Sequence, residues 1–188
     1  MANQAYGEFC RLFDLAEQKI KQVENLCDQL PIPAVNQLRG AGFHCSRALA
    51  ADSVEKERVN IDSATMHCKR ALYDAGEIAI SFLIRKIDLF RKDYRWVPVG
   101  KVVGATYLAD LQCIREAQRF IESLSPHDMD LKNGTLEAAQ RHWETLQRIS
   151  GTFEIAREEL DKYLFRWRLG TLISILALLA AVLRLLLR

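Results

Sequence analysis

Five basic side chains, Arg85, Lys86, Arg91, Lys92 and Arg95, are interleaved with Phe90, Tyr94 and Trp96, and Lys101 lies just beyond. Guanidinium forks bind phosphate oxygens and ring faces stack on bases, so these residue types suit a nucleotide or another anion. On an unbroken helix Arg85, Lys92 and Arg95 share one side, with Asp88 between them. Two other readings use the same residues. One is a solvated helix face with Phe90 and Tyr94 in the core, and the other is contact with acidic lipid headgroups. Ligand-binding residues are expected at Arg85, Lys86, Arg91, Lys92, Arg95 and Trp96.

His44-Cys45 and His67-Cys68 repeat within a short internal echo, residues 41–49 against 64–72. A hairpin turning near Lys56 sets His44 level with Cys68 and Cys45 level with His67, the donor inventory of a zinc site. Adjacent residues on a helix point about 100° apart, however, so two from each helix do not converge on one ion. Core cysteines and partly exposed histidines are expected, with no metal and no cofactor. His127, Asp128 and Asp130 offer hard ligands of the kind that polar loops carry routinely.

The chain contains no glycine-rich phosphate cradle, H-E-x-x-H, G-x-S-x-G or EF-hand loop. Glu154, Glu158 and Glu159 read as a solvated face, not an acid/base pair. No enzymatic activity is expected.

Residues 169–183 carry no charge, and Arg184 alone interrupts the apolar run before Arg188. Counting to residue 187 gives about 28 Å of helix, close to the ~30 Å hydrocarbon core of a bilayer. Arg184 is near enough to the end to snorkel, and Tyr163, Arg166, Trp167 and Arg168 suit a cytoplasmic interface. The reading is a single membrane pass with the N-terminus in the cytosol. Within it Gly170, Ser174, Ala177, Ala181, Arg184 and Arg188 recur at steps of four and three, a stripe of small and polar groups. Lipid gives helices no hydrophobic reason to associate, so small residues that admit a neighbouring backbone are the usual contact surface. The stripe either packs a dimer or a lone anchor, or lines a pore between several copies, with Ser174 inside and the arginines at one mouth.

These groups must be positioned by helices. Phe9, Leu12, Phe13, Ala16, Ile20, Val23, Leu26, Cys27 and Leu30 mark one amphipathic helix, and Pro33 suits the first turn of the next. Asp52 with Glu55 reads as a cap for a third, running over residues 54–92 with Leu72, Ala75, Ala79, Phe82, Leu83, Ile87 and Phe90 inward. Residues 94–100 read as a loop, 106–124 as a helix, and Ser125-Pro-His-Asp and Lys132-Asn-Gly as turns. Beyond Thr135 no proline occurs, and Trp143, Leu146, Phe153, Leu160, Leu164 and Trp167 mark one apolar side. The fold class is all-α: a cytosolic helical bundle, residues 1–163, whose long last helix continues into a transmembrane segment, 164–188.

Composition agrees. In 188 residues, 49% hydrophobic and 27% charged content fits a globular chain, and 9 glycines and 4 prolines are too few for a many-stranded sheet protein. The net charge of +2 hides a partition, because residues 164–188 hold four arginines and no acid. Five cysteines without a C-x-x-C pair, and an N-terminus lacking a basic-then-apolar signal, favour a reducing compartment.

A helical cytosolic body on a short membrane segment resembles, in layout and without a shared motif, the membrane effectors of bacterial anti-phage defence, including the Hailong-type effectors gated by nucleotide signals. The Asn-Trp-Gly-Arg signature of apoptosis regulators of the Bcl-2 type is absent, and the heptads next to the anchor are too broken for a SNARE, with Ser150 and Arg157 in the seam. The resemblance implies a homo-oligomeric, ligand-regulated channel or membrane-permeabilising effector, with itself, membrane lipid and a nucleotide or oligonucleotide as partners. A bacterial inner membrane is favoured over a mitochondrial outer membrane. The alternative is a tail-anchored adaptor that presents a helical interaction domain and conducts nothing.

Overall fold

The structure is a computed structural model that describes residues 2–123 and 133–187. Among these residues it is all-α, with no strand. The helices are α1 (Ala2–Cys27), α2 (Ile32–Leu49), α3 (Val54–Asp93), α4 (Val99–Val103), α5 (Tyr107–Ser123) and α6 (Asn133–Leu186). The turn expected at residues 125–128, and with it His127, Asp128 and Asp130, lies outside the described residues. Asn133-Gly134, expected in a turn, instead opens α6.

Local chemistry sets the boundaries. Asp28 takes a left-handed φ of 54° just past α1, a conformation that a short polar side chain tolerates. Leu30, expected on the apolar face of the first helix, is therefore outside it and exposed. Pro33 sits in the first turn of α2, where its missing N–H costs nothing. At the start of α3 the cap is Ser53, not Asp52: its Oγ accepts the Lys56 backbone N–H at 3.3 Å. Asp52 instead holds the Lys56 ammonium at 2.8 Å, and Glu55 pairs with Arg58.

Residues 94–100 are not simply a loop, because Tyr94, Val97 and Val99 are buried and α4 begins at Val99. Gly104 ends α4 with φ 94°, which only glycine adopts freely.

The chain divides into two compact units. The first comprises Met1–Ile84 and Cys113–Leu146. Its α2 presents Ala34, Ala41 and Ala48, every seventh residue and all buried, while α3 presents Ala64, Ala71, Ala75 and Ala79. Small side chains at such spacing allow close helix packing. Phe9, Leu12 and Cys68 fill the space around Ala41 and Ala64.

The second unit comprises Arg85–Gln112 and Gln147–Arg188. Ile87, Phe90 and Tyr94 are buried here, as are Ile149, Phe153, Ala156 and Leu160 at matching helical steps. The end of that apolar side is corrected by the structure, since Trp167 is exposed and Leu164 only half-buried. From Phe165 to Leu186 every residue of α6 is exposed although most are apolar. Among the described residues this is the one helix long and apolar enough to cross a membrane, and none of its most apolar stretch is buried. The division expected between residues 163 and 164 falls inside α6, within the second unit.

Candidate functional site

In the second unit the end of α3 and the middle of α6 run side by side in the same direction. The Phe90 and Phe153 rings stack at 4.9 Å, and the Tyr94 hydroxyl donates to Asp161 Oδ1 at 2.5 Å. Trp96 then lies parallel to Trp167, 5.9 Å between centroids and 3° between planes. Positions 153, 161 and 167 on α6 are thus met in order by 90, 94 and 96, so the chain leaving α3 advances toward the apolar segment. At ~1.5 Å per residue, Trp167 stands about 3 Å before the charge-free run that begins at Leu169. Burial, reinforced by the Asp161 carboxylate, pushes the Tyr94 hydroxyl up to about 12, so it stays protonated and donates.

Arg85, Lys92 and Arg95 do not share a helical side, because α3 ends at Asp93. Tyr94 turns inward to Asp161, and the Val97 N–H bonds back to the Tyr94 carbonyl, which takes Arg95 off the helix. The Arg95 guanidinium instead lies 5.1 Å from the Trp96 ring. Arg91 is tied to Asp88 at 3.4 Å. Arg85, Lys86 and Lys92 are exposed on α3. Beside Lys86 the crevice lined by Phe90, Ser150, Phe153 and Arg157 holds about 10 Å³, room for one water.

On α6, Gly170, Ser174, Ala177, Ala181 and Arg184 are all exposed, and nothing lies within 4 Å of a Cβ built at Gly170. Arg188 lies outside the described residues. The Ser174 hydroxyl donates to the Gly170 carbonyl at 2.9 Å, and Thr171 does the same to Trp167. Both hydroxyls are therefore satisfied within the helix, as an apolar surrounding requires.

The His–Cys echo folds differently from its expected register. His44 Nδ1 meets Asn60 Oδ1 at 3.3 Å and His67 Nδ1 meets Gln37 Oε1 at 2.8 Å. These pairs centre the hairpin on Asp52, not Lys56, because the turn occupies residues 50–53. The two imidazoles stack at 5.2 Å. Burial pushes the Cys68 thiol up to about 12 and the Cys45 thiol up as well, which keeps both protonated. Burial pushes His67 down, with His44 and Arg70 adding to the effect. Among the described residues no group of three or more His, Cys, Asp or Glu could hold a metal.

Three features were not anticipated. Asp110 is buried and takes a 2.8 Å ion pair from Arg148, while its Oδ2 has no hydrogen-bond partner. In the first unit Leu12, Leu15, Leu72, Leu136 and Trp143 line an apolar cavity of about 490 Å³, with the Lys19 ammonium 4.5 Å from the Trp143 ring. The third is the Trp96–Trp167 pair. Its only signal in the sequence was that each tryptophan follows an arginine where an amphipathic stretch ends.

Fold and site together define an all-α protein with one exposed apolar helix competent to span a bilayer. The chain matches no family model, no curated protein and no solved structure.

Proposed function

We propose that this is a homo-oligomeric, single-pass membrane protein whose cytosolic helical body controls the association or opening of its membrane segments. The single observation that carries this reading is the continuity of α6. One helix, Asn133–Leu186, extends from buried body positions such as Trp143 to the exposed stripe at Gly170, Ser174, Ala177 and Ala181. Within the second unit, a change at its buried positions Phe153 and Leu160 acts on the same helix that carries the stripe.

A ligand gates the assembly only by binding its open and closed arrangements with different affinity. The groups available for an anionic or nucleotide ligand are Arg85, Lys86 and Lys92, with Arg91 held by Asp88. The role is that of a channel or permeabilising effector without catalysis, similar in layout to anti-phage membrane effectors. Its place is a bacterial inner membrane with the N-terminus in the cytosol.

One observation favours the second reading, a tail-anchored adaptor. Ser174 and Thr171 satisfy their hydroxyls on their own helix, so the segment needs no partner in lipid. The particle mass of the full chain in detergent, measured alongside ion flux in proteoliposomes, tests the two. A monomer without flux rejects the channel.

A further inference from the structure

We propose that Arg95, Trp96, Arg166, Trp167 and Arg168 form a collar that binds anionic phospholipid headgroups where α6 enters the bilayer. The proposal rests on the membrane-spanning reading of α6 and adds the lipid class and the residues that recognise it. The stacked Trp96 and Trp167 rings are 59% and 44% exposed, although each is a large apolar surface. Indole rings are stable in this half-exposed state at the headgroup level of a membrane, where one part is apolar and the N–H stays wet. The stack therefore brings the turn after α3 to the depth of Trp167, two residues before the charge-free run.

The charge pattern fits one partner. Arg91, Arg157 and Lys162 pair with carboxylates, whereas among the described residues Arg95, Arg166 and Arg168 pair with none. No acidic residue follows Asp161, and that carboxylate accepts from Tyr94. Three guanidinium groups without a carboxylate partner, beside exposed indoles, suit an extended layer of phosphate diesters better than a single soluble nucleotide. Each basic residue at an anionic surface contributes about a fivefold preference over a zwitterionic one.

The test uses the full chain in mixed phosphatidylglycerol and phosphatidylcholine vesicles, with bromine on the acyl chains near the carbonyl of one lipid at a time. Quenching of tryptophan emission, titrated against lipid fraction, gives the relative association of the two lipids. The expected result is at least about a fivefold preference for phosphatidylglycerol, with the Trp96→Phe variant losing part of the quenchable emission. Arg95→Gln with Arg168→Gln should lower the preference severalfold, toward what Arg166 alone supplies, while Arg39→Glu, on α2, leaves it intact. Equal quenching by both lipids overturns the lipid specificity, and an unchanged preference in the double variant overturns the residues assigned. Loss of the preference on adding inorganic phosphate identifies a soluble-anion site and overturns the lipid assignment. Resistance to alkaline extraction, measured in parallel, separates these outcomes from failure of the spanning reading. A protein released by alkali overturns both.

Discussion

The Tyr94 hydroxyl donates to Asp161 at 2.5 Å, and this bond fixes where the chain leaves α3 relative to α6. The ring is buried and the phenol is shifted up to about 12 by burial and by Asp161. Because the folded value lies above the ordinary 10.0, the neutral phenol's contribution is complete below pH 10 and is lost as pH rises toward 12. Denaturant unfolding of the full chain in detergent should therefore show stability falling over that window. Tyr94→Phe should make the fall shallower, and at neutral pH should cost about 0.5–1.5 kcal/mol, the net worth of one hydrogen bond to the exposed Asp161. The residual slope reflects other groups shifted upward, the buried Cys68 and the half-buried Tyr73 among them.

Gly40 and Gly42 are both in α2 but meet different surroundings. A Cβ at Gly40 would lie 2.9 Å from His67 Cε1, and that ring is held by Gln37 and stacked on His44. At Gly42 nothing lies within 4 Å. Alanine gains about 1 kcal/mol over glycine in a helix interior. Thermal unfolding should show Gly42→Ala stabilised by up to that amount. Gly40→Ala should be neutral or destabilised by about 1 kcal/mol, because the displaced imidazole loses its hydrogen bond.

His67 gives the opposite pH sign to Tyr94. Burial lowers its folded value below the ordinary 6.5, so its contribution is present above that pH and is lost as pH falls. Stability should decline from about pH 6.5 downward, and His67→Gln should flatten part of that decline. His142, also pushed down by burial, accounts for a remainder. A stability profile no flatter in His67→Gln than in the parent would reject this assignment.

Most of the fold was legible because the apolar residues of α1, α3 and α6 recur at helical steps long enough to exclude other periods. The apolar segment of α6, long enough to cross a membrane, was legible from composition alone. Misread positions lie where side-chain competition at an end decides the outcome. Ser53 displaced Asp52 as the cap because Asp52 found Lys56. Contacts between distant positions leave no local pattern, which is why Trp96–Trp167 and Asp110–Arg148 were not foreseen. Arg95 does not continue the helical face of Arg85 and Lys92, because α3 ends at Asp93.

Asp110 and Arg148 test the interior of the second unit. The carboxylate is buried while the guanidinium is 55% exposed, so the pair is asymmetric in what its loss leaves behind. Arg148→Ala strands a buried charge and should destabilise by about 1–3 kcal/mol, whereas Asp110→Asn in the Arg148→Ala background should recover part of that loss. A double-variant cycle by denaturant unfolding reads the coupling. Additive effects would show that Arg148 packs by its stem alone.

The small-residue stripe of α6 separates the channel from the adaptor most directly. Ser174 and Ala177 lie mid-segment on the face that carries Gly170 and Ala181, while Ile175 and Leu176 lie off it. Leucine at 174 or 177 adds bulk where neighbouring helices are proposed to converge, so each should lower the oligomer mass or close the conducting path. Van der Waals packing, not hydrophobic burial, holds helices together in lipid, so a single added side chain at the contact is felt strongly. Ile175→Leu and Leu176→Ile keep volume and apolarity, and should leave flux and mass as in the parent. In an adaptor all four variants behave alike, because the segment need only remain apolar enough to insert. The readout is dye leakage from proteoliposomes with particle mass recorded on the same preparations. Equal leakage from Ser174→Leu, Ala177→Leu, Ile175→Leu and the parent rejects the pore, and no leakage from the parent under activating conditions favours the adaptor.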